Sequence, residues 1–227
     1  MSKRIIALCM GVLVSLSIVG CGKAETVENV ETKTATEQKY DELQGEWAKD
    51  RGLDDLKKNY YEILKKVEEK TKNYGLEYSK EGPIVKEVNG ETVNHEYIYL
   101  ENKKPEKNRL ESLYFGMKIF GDDLSSGQIA MKTSLNFDGE GAIKKGEFDF
   151  GDTSLAAYSS IMTGDQNRSY KDINNKIIEI LKTDNGEGVI SNSINGLYEE
   201  FIVSKDFIVY RLETKKYDFA KAEEVLK

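Results

Sequence analysis

Histidine, proline and cysteine are scarce in this chain: one, two and two among 227 residues. With a single histidine, no second imidazole exists to complete a usual zinc-ligand set. Two prolines beside 19 glycines exclude collagen-like and proline-rich classes. The chain has no Gly-x-Ser-x-Gly elbow, no phosphate-binding P-loop, no Gly-x-Gly-x-x-Gly and no Ser-x-x-Lys, so the usual short signatures of catalysis and cofactor binding are missing. Positive charge is also in deficit, with 33 Lys and Arg against 40 Asp and Glu, a net charge of -7. Binding to nucleic-acid phosphates needs a positive footprint, so nucleic acid is not expected as the main partner. No cofactor is expected either.

What is present suits a globular chain: 39% hydrophobic and 32% charged residues, with 13 Tyr and 8 Phe supplying core area. One segment stands apart. Lys3 and Arg4 precede an apolar run over 5–19, interrupted only by Gly11, Ser15 and Ser17, and Gly20 follows as a small residue. This is the layout of a secretion signal. A spanning helix needs about 20 apolar residues, and the run is shorter than that before the chain turns polar at Gly22 and Lys23.

Ile18-Val19-Gly20-Cys21 resembles the lipobox of bacterial lipoprotein precursors. The resemblance implies that the Cys21 thiol receives a diacylglyceryl group, that cleavage falls between Gly20 and Cys21, and that the mature chain sits on the extracytoplasmic face of the cell membrane. Two acyl chains make such an anchor long-lived, because each buried methylene contributes about 0.8 kcal/mol and one chain binds only marginally. Cys9 would leave with the signal and Cys21 would be blocked, so no thiol would remain for disulfides, zinc or nucleophilic catalysis. Cleavage would also remove Lys3 and Arg4 and no acid, taking the net charge from -7 to -9.

The domain reading is a signal peptide over 1–20, an acidic tether over 21–38 and a single α+β domain over 39–227. The Glu- and Thr-rich stretch after Cys21 lacks aromatics and any helical stripe, and as a coil it would reach roughly 20–25 Å. Tyr40, Leu43 and Trp47 share a helical spacing. Gly45-Glu46-Trp47 is similar to the Gly-x-Trp of lipocalins, but a long helical pattern follows where a first barrel strand belongs, so Trp47 is read as packing a short helix onto the core. Leu53, Leu56, Tyr60, Ile63, Val67 and Tyr74 predict an amphipathic helix stopped by Gly75.

The period then changes to two. Residues 84–88, Asn89-Gly90 and 91–100 form a hairpin signal. Strands are predicted at 113–120 and at 128–137, where Ile129, Met131, Thr133, Leu135 and Phe137 share a face. A turn at Asp138-Gly139-Glu140-Gly141 and a resumed strand at 147–150 are expected next. A helix capped by Asp152 or Thr153 buries Leu155, Tyr158 and Met162. A capping box of Ser169 and Asp172 opens a second one that buries Ile173, Ile177, Ile180 and Leu181. Strands at 197–203 and 207–213 and a last helix over 219–226 complete the pattern. The fold class is α+β, an antiparallel sheet of about six to eight strands with helices packed mainly on one face; two halves dividing near residue 150 are the alternative.

Candidate chemistry is thin. His95 falls on the strand face of Val93, Tyr97 and Tyr99, a setting more often structural than catalytic. The acidic loops at 138–141 and 184–188 do not continue into a calcium-loop pattern. Lys103, Lys104, Lys107 and Arg109 put four cations within seven residues, a candidate contact loop for anionic lipid, wall polymer or an acidic partner. With no catalytic motif, the chain is read as a non-enzyme: a lipid-anchored binding or assembly module with a protein or cell-envelope partner. The alternative is an extracytoplasmic hydrolase using carboxylates or His95.

Overall fold

In this computed structural model, residues 43–220 are described. The strongest helical stripe in the sequence forms α1 (Leu53–Asn73), whose three-four spacing buries Leu56, Tyr60, Ile63, Leu64 and Val67. Asp54 and Asp55 in its first turn and Lys70 and Lys72 in its last complement the helix dipole. Gly75, at φ +69°, ends it in a conformation that side chains with a Cβ resist.

Eight strands follow among the described residues: β1 (Ser79–Val88), β2 (Glu91–Glu101), β3 (Arg109–Phe120), β4 (Ser126–Asn136), β5 (Gly188–Ile194), β6 (Leu197–Val203), β7 (Phe207–Glu213) and β8 (Tyr217–Asp218). They make one antiparallel sheet in the order β1-β2-β3-β4-β7-β6-β5, with β8 paired to the start of β4. The β4–β7 pairing joins the strands before residue 150 to those after it. Asn89 and Gly90 turn the first hairpin with φ of +53° and +79°, the double positive φ of a type I′ turn.

Among the described residues, three of the four α-helices lie against one face of this sheet. They are α1, α3 (Ser154–Thr163) and α4 (Lys171–Leu181); the short α2 (Gly139–Lys145) packs on α4. Ile129, Met131, Leu135 and Phe137 are fully buried on this inner face, as the alternation predicts, and Phe115 stacks on Tyr60 at 5.2 Å between ring centroids. The α+β class and the one-sided helix layer therefore agree with the sequence.

Several local expectations are corrected. The 138–141 turn is the start of α2: Asp138 accepts from the Gly141 N–H, and Gly139 sits so close to the Lys205 backbone that a Cβ would come within 2.6 Å of its carbonyl oxygen. No strand forms at 147–150. Phe150 is buried in a 3-10 turn over Phe150–Asp152, where its ring meets Tyr170, Phe201 and Tyr210 instead of a ladder neighbour. Trp47 does pack a short helix onto the core, a single 3-10 turn (Glu46–Ala48) and not an α-helix, held by its backbone N–H to Asn195 O and its indole N–H to Met162 O.

The Ser169–Asp172 box does not form, since α4 has Tyr170 as its N-cap and no side-chain cap bond. Ile178 is buried in α4 where Ile180 was expected; Ile180 is partly buried and packs over Gly188. Strand β5 and its Asn195-Gly196 turn were not anticipated. The predicted helix at 219–226 lies almost wholly outside the described residues.

Candidate functional site

Because α1, α3 and α4 cover one face of the sheet, side chains of the opposite parity point away from the helices. From β1 and β2 these are Ile84, His95, Tyr97 and Tyr99; from β3 and β4, Tyr114, Lys118, Gln128 and Lys132; from β7, β6 and β5, Arg211, Tyr198, Glu200 and Ser191. Cross-strand register brings together residues far apart in sequence. Tyr97 lies opposite Gly116, and Gly116 opposite Ala130, so two small residues leave room at the centre of the face. The Tyr114 ring lies across Gly116: a Cβ there would sit 2.4 Å from the Tyr114 hydroxyl oxygen.

His95 belongs to this aromatic group. Its ring stacks on Tyr97 at 4.4 Å, and Nε2 is 2.7 Å from the Tyr114 hydroxyl. Burial pushes the imidazole pKa down to about 4, and the charges of Lys118 and Lys86 push the same way. Burial likewise drives the Tyr114 hydroxyl well above the ordinary tyrosine range. Among the described residues the His95 ring shares its hydrogen bond with a tyrosine hydroxyl and not with a carboxylate, so the arrangement differs from that of a triad histidine. The face carries apolar side chains as well. Val189, Ile202 and Phe207, which are 58%, 37% and 39% exposed, line a shallow hollow of about 270 Å³ where β5, β6 and β7 meet.

A second feature lies at the opposite side of the fold, an open groove of about 1290 Å³ beside α2 and α4. Lys107, Arg109, Lys145, Lys171 and Lys182 line it together with Glu106, Asp138, Asp149, Asp152 and Glu179, so its charge is balanced. Its wall includes Arg168, which forms a two-pronged ion pair with Glu199, a fully buried carboxylate on the inner face of β6. Tyr210 donates to the same carboxylate at 2.7 Å, and Ser159 Oγ lies 2.7 Å from the Tyr210 hydroxyl. Burial and the neighbouring Glu199 charge push the Tyr210 hydroxyl far above its ordinary pKa. Every oxygen of Glu199 is satisfied within the fold, so this cluster ties the α3–α4 loop to β6. Nothing in the chain order announces it, since Arg168 and Glu199 are 31 residues apart.

The residues singled out from sequence are dispersed. Ile18, Val19, Gly20 and Cys21 lie outside the described residues. Lys103, Lys104 and Lys107 on the β2–β3 connection and Arg109 at the start of β3 are all exposed. Lys107 and Arg109 reach the groove, and Lys107 donates to Phe137 O at 3.1 Å, while Lys103 and Lys104 are not part of it. His95 is not among the groove-lining residues. Among the described residues, no three His, Cys, Asp or Glu side chains gather as a metal site, and no helix is long and apolar enough to cross a membrane. No protein-family model, curated protein or solved structure matches the chain.

Proposed function

We propose that this chain is a membrane-anchored extracytoplasmic lipoprotein whose folded part acts as a binding or assembly module through the helix-free face of its sheet. The lipobox Ile18-Val19-Gly20-Cys21 supports the anchor. The observation that carries the binding half is the face itself, seven strands wide and bearing the half-buried Tyr97, Tyr99 and Tyr114 among Lys118, Lys132 and Glu200. Tyrosine presents large contact area at low entropic cost together with a polar tip, which suits a contact surface. A protein or cell-envelope partner fits this surface better than a small ligand, because the face is broad where a small-molecule site is concave.

The hydrolase alternative draws on the carboxylates of the groove; the placement of His95 outside it weighs against the His95 form. Changing Cys21→Ala should leave the precursor uncleaved and abolish its partition into the detergent phase; unchanged partitioning would refute the anchor. In the anchored protein, Tyr97→Ala with Tyr99→Ala should lower recovery of envelope neighbours several-fold in a membrane pull-down while the far-ultraviolet circular dichroism stays the same. Equal recovery would remove the face from the binding role.

A further inference from the structure

The two edges of the sheet differ in chemistry. Strand β1, at one edge, carries Pro83, a register shift between Glu81 and Ile84, and the charges of Lys80, Glu81, Lys86 and Glu87, the devices that keep an edge from pairing with other chains. Strand β5, at the other edge, reads Gly-Val-Ile-Ser-Asn-Ser-Ile. It has no proline and no bulge, and among the described strands it is the only one without a charged residue.

Its free backbone groups follow from the turn that ends it. Asn195 and Gly196, with φ of +50° and +82°, make a two-residue turn, so Ile194 and Leu197 close the hairpin as a hydrogen-bonded pair. Pairing alternates from there: Asn192, Ile190 and Gly188 bond to β6, while Val189, Ser191 and Ser193 aim their N–H and C=O groups outward. Among the described residues no backbone group pairs with these three.

We propose that the β5 edge pairs antiparallel with β5 of a second copy of this chain, joining two sheets into one. Residues 190–194, Ile-Ser-Asn-Ser-Ile, are a palindrome. About a two-fold axis at Asn192, Ile190 meets Ile194 of the second copy, Asn192 meets Asn192 amide to amide, and Ser191 meets Ser193. The serine pairs are those whose outward groups exchange hydrogen bonds, so the side-chain match and the backbone register coincide. Charge points to the same occupant. The chain is acidic and two copies repel, yet β5 is neutral, and the antiparallel arrangement sets Asp184 and Glu187 of each copy toward the Asn195-Gly196 turn of the other, where Glu46, bonded to Asn195, is itself ion-paired with Lys49 and Arg51. This pairing does not depend on the lipid anchor.

The test uses the full chain in mild detergent, with Cys9→Ser and Cys21→Ser so that an introduced thiol is alone. Asn192→Cys should give a disulfide-linked dimer on mild oxidation, since directly opposed residues in a non-hydrogen-bonded pair lie about 4.5 Å apart between Cα atoms. Ile202→Cys, off the edge, should give little. Sedimentation equilibrium of the thiol-free parent should return twice the chain mass. Adding Ser191→Lys and Ser193→Lys should abolish the cross-link and return the monomer mass with unchanged circular dichroism. A parent that sediments as a monomer at every concentration, together with no cross-link at Asn192→Cys, would overturn the pairing and leave the edge to a foreign strand.

Discussion

His95 shows how a residue's ionisation is governed by what is folded around it. Its imidazole is stacked on Tyr97, bonded to the Tyr114 hydroxyl and faced by Lys118 and Lys86, and burial first and these cations second hold it neutral down to about pH 4. In the unfolded chain the same group takes up its proton near pH 6.5. Between about pH 6.5 and 4 the unfolded state therefore binds more protons, so this residue's effect is to lower stability as pH falls through that window and to leave it unchanged above it. Because the chain has one histidine, the imidazole proton resonance followed by NMR against pH should report a single titration near pH 4, and a midpoint near 6.5 would contradict the packing. His95→Gln should flatten the pH dependence of the unfolding free energy across the same window. The face that His95 shares with Tyr97 and Tyr99 is legible in the strand alternation. Tyr114, 19 residues on, is not, since only the β2–β3 register brings it there.

At the level of elements, the Arg168–Glu199 pair is a cross-tie between the α3–α4 loop and β6. Removing one partner strands a charge in the interior, and such losses amount to about 3–5 kcal/mol, whereas replacing both partners with apolar residues is often neutral. Arg168→Met should therefore lower the unfolding free energy measured by urea titration by an amount in that range, with a lower urea midpoint, and Arg168→Met with Glu199→Met should recover most of it. Equal midpoints for Arg168→Met and the parent would show that the tie contributes nothing.

Elements with strong periodicity, α1, the first hairpin and β4, were readable because their burial comes from one repeated spacing. Strand β5 was not, because Ser191 and Ser193 alternate with Ile190, Asn192 and Ile194 over too short a run, although the Asn195-Gly196 turn beside it was a usable signal. The 147–150 segment misled for the converse reason: Phe148 and Phe150 alternate as in a strand, but their rings fill space beneath the helices and no neighbouring strand pairs with them.

Across the whole molecule, the described chain begins at the end of the sheet that carries the β5–β6 turn, where Trp47 bonds Asn195 and Tyr217 donates to Trp47 O. The basic β2–β3 connection is at the other end of β3, and the 12 residues of that strand set the two ends about 35–40 Å apart. If the anchor acts as proposed, membrane attachment comes from acyl chains at about 0.8 kcal/mol per buried methylene and not from these cations. Lys103→Glu with Lys104→Glu should then leave the membrane-bound fraction unchanged in flotation assays at physiological salt; a clear loss would place the loop at the lipid surface.

Local spacing is enough for the α+β class, the long amphipathic helix, the turn residues of the first hairpin and the expectation of a lipidated Cys21, because each depends on chemistry within a few residues. Which sheet face stays free of helices, which strand becomes the neutral edge, and the burial of Glu199 against Arg168 are set by long-range packing. Those outcomes depend on strand register and on packing between residues tens of positions apart, where every candidate pairing reads alike along the chain and only the sum of contacts distinguishes them.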